Sequence, residues 1–176
     1  MPRFKNALAF RIEPSWNPDF DAAQQQLDGL RFVPCGPSQE SSTGWVPPRG
    51  AEHGLLLESV GGQWLLEYMI ESKTLPASVI RRKVDERCAQ IEAQTGRAPG
   101  KKEKKQIKED VTQELLPLAF TRHARVAVWI DPQARRLTLD TSNQARADAV
   151  VTALVQGLDG FAVAAFHTQV EPASAM

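Results

Sequence analysis

Residues 76–118 read PASVIRRKVDERCAQIEAQTGRAPGKKEKKQIKEDVTQELLPL, and the organisation of the whole chain follows from this stretch. Residues spaced by 4, 4 and 3 positions share one face of an α-helix. Two apolar stripes with that spacing follow one another in the chain. The first consists of Ile80, Val84, Cys88 and Ile91, and the second consists of Ile107, Val111, Leu115 and Leu118. Pro76 suits a first helical turn, and residues 96–100 separate the stripes. The stretch predicts an αα-hairpin, with Pro117 ending or kinking its second helix.

Strand signals flank this stretch on both sides. Before it, the pattern predicts a strand at 6–13, a helix that ends near residue 30 and a short strand at 31–34. A Gly-, Pro- and Ser-rich loop is predicted at 36–54, with an apolar plug at 44–48. Residues 55–59 and 63–71 are then predicted to form a β-hairpin. After it, the pattern predicts a β-hairpin formed by 125–130 and 135–141, a helix from Ser142 or Asn143 to about residue 158, and a last strand at 161–166.

This order of elements is not a strict β-α-β-α alternation. It therefore predicts an α+β fold with a mostly antiparallel sheet, packed helices and a protruding basic αα-hairpin. The final hairpin, helix and strand resemble half of a ferredoxin-like unit. We expect residues 1–71 and 126–176 to form an α/β body and residues 72–125 to be an inserted helical hairpin.

The charge of the chain is unevenly distributed. The 176 residues carry 21 basic and 21 acidic side chains, so the formal net charge is zero. Residues 72–125 hold 13 basic and 7 acidic side chains, a net of +6, whereas residues 1–71 have a net of −4 and residues 126–176 a net of −2. A charge run of this kind indicates either a solvated helical face or a site for an anionic partner.

Catalytic and metal-binding motifs are not recognisable in the sequence. The two cysteines, Cys35 and Cys88, are too few for a disulfide framework and suit a reducing cytosol. The histidines, His53, His123 and His167, have no metal-ligand spacing, and no phosphate-binding glycine motif occurs. We therefore predict a protein that is not an enzyme and has no cofactor and no metal site. No apolar segment is long enough to cross a bilayer, which predicts a cytoplasmic protein.

The second predicted helix opens with a lysine-rich run. Five of its first eight residues are lysines, and Lys101, Lys105 and Lys108 share one helical face. Lysine is a flexible point charge that suits phosphate and reads bases poorly. We therefore predict salt-dependent binding to the backbone of duplex DNA without sequence preference. The candidate DNA-binding residues are Lys101, Lys102, Lys104, Lys105, Lys108, Arg81, Arg82, Lys83, Arg87 and Arg122.

Several short motifs together resemble one known family. In chain order they are Phe4-Lys5-Asn6, FVPCG at 32–36, GWVPP at 44–48, LPASVI at 75–80, the lysine-rich helix, LLPLAFTR at 115–122 and Trp129-Ile130-Asp131. With these segments the chain resembles the N-terminal part of the RdgC family of bacterial recombination-associated proteins. The resemblance covers residues 4–131 and is weaker up to about residue 166.

The resemblance implies a nucleoid-associated protein that encircles duplex DNA as a ring-shaped homodimer. It also implies that such a protein restrains RecA-promoted strand exchange indirectly, by occupying DNA. Phe120 would then lie at a dimer contact, although its place after Pro117 equally fits a core aromatic. The alternative is a protein-interaction or dimerisation module that does not bind DNA directly, with the basic hairpin docking on an acidic protein surface.

Overall fold

The computed structural model describes residues 4–50 and 53–166. Over this part of the chain there are four α-helices, α1 (Phe20–Asp28), α2 (Ala77–Thr95), α3 (Lys101–Leu115) and α4 (Gln144–Gly157), and one 3-10 helix, Leu116–Leu118. The strands are β1 (Ala7–Ile12), β2 (Ser41–Val46), β3 (Glu58–Val60), β4 (Gln63–Thr74), β5 (Phe120–Asp131), β6 (Arg136–Asp140) and β7 (Val163–Ala165). His167 and the residues after it lie outside the described part, so the absence of a metal-binding role for that histidine stays a prediction.

The strands form one sheet, and the α+β prediction is confirmed. Its order is β2-β4-β5-β6-β1-β7, with β3 paired to β4. Strand β1 lies between β6 and β7 and is antiparallel to both, with Leu8 opposite Leu139 and Phe10 opposite Ala165. Since β6, α4 and β7 follow one another in the chain, they form a β-α-β unit that is split by β1, as in ferredoxin-like folds.

Aromatic side chains fill the core beside the sheet. Trp16 contacts Trp64 and Phe161 edge to face, with ring centroids 5.5 and 4.9 Å apart, and Phe20 contacts Trp64 at 5.7 Å. Such contacts stabilise a core beyond the area that they bury. Residues Ala147, Val150 and Leu154 of α4, which recur at helical spacings of 3 and 4, are buried.

The predicted loop at 36–54 is wrong in its middle, because residues 41–46 form strand β2. Gly44 permits this strand, since a Cβ atom at that position would lie 2.5 Å from the Cα atom of Phe32. The close approach lets the Phe32 amide donate to the Trp45 carbonyl at 2.9 Å. Trp45 is buried against Tyr68, with ring centroids 4.8 Å apart, as expected for an apolar plug.

Two other strand predictions are corrected. The predicted strand at 31–34 is reduced to a single parallel bridge between Arg31 and Trp45. The predicted run at 55–59 contributes only its end to strand β3, because Leu56 and Leu57 are buried in the core before pairing begins.

The chain divides into two compact units. The first comprises residues 1–32, 43–69 and 125–176, and the second comprises residues 33–42 and 70–124. By sequence the first holds 9 basic and 12 acidic side chains and the second holds 12 basic and 9 acidic, so their net charges are −3 and +3. The boundaries at 72 and 125 and the protrusion of a hairpin stay predictions.

Within the second unit, helices α2 and α3 pack against each other. Gly96 ends α2 in the left-handed conformation, with φ of 73°, and its amide donates to the Glu92 carbonyl at 2.8 Å. Helix α3 ends at Leu115, and the 3-10 turn that contains Pro117 follows directly.

The predicted stripes need two corrections. Leu118 is 78% exposed, because the 3-10 turn rotates the chain and buries Leu116 in its place. An apolar stripe on a helix predicts a buried face, but α2 buries none of its side chains, and Cys88 and the other three stripe residues of this helix are half-exposed.

Candidate nucleic-acid interface

All ten predicted DNA-binding residues lie in the second unit, within residues 70–124. Each of the five lysines of α3 is exposed, and so are Arg81 and Arg122. Helical geometry places Lys101, Lys104, Lys105 and Lys108 within an arc of about 100° on α3, with Lys102 beside it. Ile107, which is half-buried, and Val111, which is buried, lie next to that arc. The fold therefore leaves these ammonium groups in contact with solvent.

The lysines in the first turn of α3, which we call the first-turn lysines, are Lys101, Lys102 and Lys104. Within the described residues none of the three forms an ion pair. Positive side chains at a helix N-terminus oppose the helix dipole, so their position is intrinsically unfavourable. An anion that approaches this turn would be attracted both by the three charges and by the dipole.

Glu103, the acidic residue among the first-turn lysines, is held by other groups. Its carboxylate accepts hydrogen bonds from the Arg97 guanidinium at 2.8 and 3.0 Å and from the Gly100 amide at 2.8 Å. These bonds, with the Arg97 contribution the larger, hold the pKa of Glu103 below its ordinary value. Since Glu103 already has these partners, it does not neutralise the neighbouring lysines.

The cations of α2 have a different environment. Three of them, which we call the α2 cations, are Arg82, Lys83 and Arg87. Arg82 and Lys83 pair with Glu86 at 3.8 and 3.2 Å, and Arg87 donates to Glu114 of α3 at 2.9 Å. A phosphate would have to compete with these carboxylates, so the α2 cations are less available than the first-turn lysines.

Lys105 and Lys108 line a cavity of about 260 Å³ in the second unit. Lys105 pairs with Glu109 at 3.7 Å, whereas within the described residues neither Lys108 nor Glu40 forms an ion pair. Glu40 comes from residues 33–42, which we call the strap, and lines the same cavity. Two ammonium groups and two carboxylates thus share this space.

Sequence reasoning missed the groups that anchor the strap. Glu71, which is buried, accepts a hydrogen bond from the Cys35 amide at 2.7 Å. Its second oxygen lies 2.6 Å from Nε2 of His123. The ammonium group of Lys73 donates to the carbonyls of Gly36 and Pro37 at 2.7 and 2.5 Å.

These contacts change the proton affinity of the groups involved. The amide of Cys35 and the ring of His123 hold the pKa of Glu71 below its ordinary value. Desolvation, followed by the nearby Glu71 carboxylate, raises the pKa of the Cys35 thiol. Cys35 is therefore kept as the neutral thiol, and Glu71 serves as a charged anchor for the strap.

Phe120 has no place in the core of the chain. Its side chain is 87% exposed at the start of β5, two residues after the exposed Leu118. The sequence allowed either a core or an interface position, and the structure excludes the core position. Its role at an interface stays a prediction.

Residues 4–50 and 53–166 contain neither a membrane-spanning helix nor a cluster of metal ligands. No helix there is both long and apolar enough to cross a membrane. No group of three or more His, Cys, Asp or Glu side chains there is arranged to hold a metal ion.

Comparison with known proteins identifies relatives over almost the whole chain. Residues 3–176 match the family model described as "RdgC: Putative exonuclease, RdgC". The recombination-associated protein RdgC of Dechloromonas aromatica is 41% identical over 173 residues, which cover 98% of this chain and 56% of that protein. The proteins of the same name from Cupriavidus pinatubonensis and Bordetella pertussis are 39% and 36% identical, with 98% of this chain and 57% of each covered. The chain spans just over half the length of these curated relatives.

Proposed function

The chain belongs to the RdgC family, and on this basis we propose that it binds the phosphate backbone of double-stranded DNA without reading its sequence. The observation that carries the proposal is the set of three exposed first-turn lysines, which form no ion pair within the described residues. Ammonium groups in this state bind phosphates and release the counterions condensed on DNA.

The role in the cell follows from occupancy of DNA. The relatives are named recombination-associated proteins. We propose that the chain acts in the cytoplasm on nucleoid DNA and restrains RecA-dependent strand exchange by covering duplex, without direct contact with RecA. The proposal involves no cleavage of DNA, and it therefore departs from the exonuclease in the description of the family.

A fluorescence-anisotropy titration of a labelled random-sequence duplex tests the binding. If about four phosphates are neutralised, the logarithm of the association constant should fall with the logarithm of salt concentration at a slope of about −3.6. Incubation of the labelled duplex with Mg²⁺ should leave its length unchanged on a denaturing gel. Shortening of the strands would refute the non-enzymatic part of the proposal.

A triple variant locates the site. Lys101→Gln, Lys102→Gln and Lys104→Gln together should reduce the slope by about 2.7 and weaken binding about 500-fold at 0.1 M salt. The matched control is Lys5→Gln with Arg11→Gln and Arg136→Gln, which removes three exposed positive charges from the first unit. Equal losses in both triple variants would show that total charge, rather than this helix turn, determines binding.

A second candidate function is supported by the exposure of Leu118 and Phe120. Large apolar side chains this close together on a surface mark protein–protein contacts. We propose that they form a homodimer contact, and Phe120→Ala should lower the mass measured by light scattering to that of a monomer. If the parent chain dimerises but retains no duplex at low salt, the chain is an interaction module rather than a DNA-binding protein.

A further inference from the structure

The strap, residues 33–42, is fixed within the second unit by several hydrogen bonds. Besides the contacts of Glu71 and Lys73, the backbone amide of Lys73 donates to the carbonyl of Glu40 at 2.8 Å. The hydroxyl of Ser42 donates to the carbonyl of Val33 at 2.5 Å, which closes the strap on itself. Because its backbone is fixed, Glu40 stays beside Lys105 and Lys108 without a further cost in backbone entropy.

The cavity beside Glu40 has no net charge from its ionised side chains. Lys105 and Lys108 contribute two positive charges, and Glu40 and Glu109 contribute two negative charges. The other lining side chains, Thr112 and Gln113, are neutral. A phosphate that approaches these two lysines is therefore attracted less than a phosphate at the first turn of the same helix.

We propose that Glu40 and Glu109 form an acidic brake, in which the ion pair with Glu109 and the nearby charge of Glu40 withhold Lys105 and Lys108 from DNA and so limit the affinity of the proposed DNA-binding site. The inference rests on the proposed function and specifies its regulation. Glu109 is a helical neighbour of Lys105, whereas Glu40 is brought in from a distant part of the sequence by the anchored strap. The brake keeps a sequence-independent contact weak enough to be reversible, since every lysine withheld removes one counterion-release contribution.

Neutral variants of the two carboxylates measure the effect. Glu40→Gln and Glu109→Gln preserve the shape of the side chains and remove one charge each. Each single variant should make the slope of log association constant against log salt concentration steeper by about 0.9, and should strengthen duplex binding up to about eightfold at 0.1 M salt. The double variant should strengthen binding up to about 60-fold. The control is Asp21→Asn, which makes the same change in net charge at an exposed site in the first unit.

A second comparison separates local from global charge. In a background with Lys105→Gln and Lys108→Gln, the substitution Glu40→Gln should give no more than the change seen with Asp21→Asn, because the lysines that it would release are absent. Far-UV circular dichroism should show the same thermal midpoint for all these variants within a few degrees, since the replaced carboxylate groups are on the surface.

The outcomes distinguish the two proposals. If the parent chain binds duplex and the Glu40 and Glu109 variants do not exceed Asp21→Asn, the acidic brake is refuted while the DNA-binding function stands. If Glu40→Gln strengthens binding equally with and without Lys105 and Lys108, the effect is general and the brake is also wrong. If the parent and all variants fail to bind duplex at low salt, the proposed function itself is wrong, and the brake with it.

Discussion

The first-turn lysines of α3 and the α2 cations belong to the same helical pair, but their surroundings differ. Each α2 cation lies within 3.8 Å of a carboxylate, Glu86 or Glu114. The first-turn lysines have Glu103 among them, yet that carboxylate is held by Arg97 and Gly100. Clusters of three cations each therefore differ in availability. The comparison teaches that a count of basic residues overestimates a phosphate-binding surface wherever carboxylates already neutralise it.

The largest expected effect separates these two clusters directly. The variant with Arg82→Gln, Lys83→Gln and Arg87→Gln removes as many positive charges as the first-turn triple variant. We expect it to weaken duplex binding at 0.1 M salt by less than about tenfold, against about 500-fold for the first-turn lysines. Anisotropy titrations of both variants in the same buffer provide the measurement. Equal losses would mean that the ion pairs of α2 open readily on DNA and that the contrast between the clusters has no functional meaning.

The second effect concerns the fold that presents both clusters. Leu116 is buried where α3 ends, and Leu116→Ala should lower the free energy of unfolding by about 2 to 5 kcal/mol. Leu118, two residues later, is exposed, and Leu118→Ala should change the free energy of unfolding by less than about 0.5 kcal/mol. Urea denaturation followed by circular dichroism measures both values. A large loss with Leu118→Ala would show that the apolar stripe continues past Pro117 after all.

The smallest effect is a pH dependence that belongs to the first turn of α3. The pKa of Glu103 is lowered by Arg97 and Gly100, so its contribution to stability is complete above the ordinary value of 4.5. This contribution is lost as the pH falls through the lower pKa of the folded chain. Thermal midpoints measured from pH 7 to pH 3 should therefore fall less steeply for Glu103→Gln than for the parent. Identical acid profiles would show that the Arg97–Glu103 contact does not form in solution.

The helices and the location of the candidate site could be predicted from the sequence because both depend on local patterns. Apolar spacing placed α2 and α3, and the lysines of α3 are consecutive in the chain. Two ion pairs, Arg82 with Glu86 and Lys105 with Glu109, also follow from the spacing of four residues on a helix.

Contacts between distant residues left no signal in the pattern. Arg87 and Glu114 pair across two helices, and Glu71 joins Cys35 to His123 over separations of 36 and 52 residues. Strand β2 was predicted as loop because its sequence, SSTGWV, has the composition of a turn, and its glycine is needed for a close backbone approach. The position of Glu40 beside α3 depends on these contacts, so the acidic brake could not have been predicted.

The exposure of Leu118 and Phe120 has a practical consequence at the bench. If the proposed homodimer contact forms at these two side chains, which are 78% and 87% exposed, the chain will associate by mass action as the sample is concentrated. Titrations at nanomolar protein and spectra recorded at hundreds of micromolar would then sample different species. Stoichiometry on DNA should accordingly be determined over a dilution series.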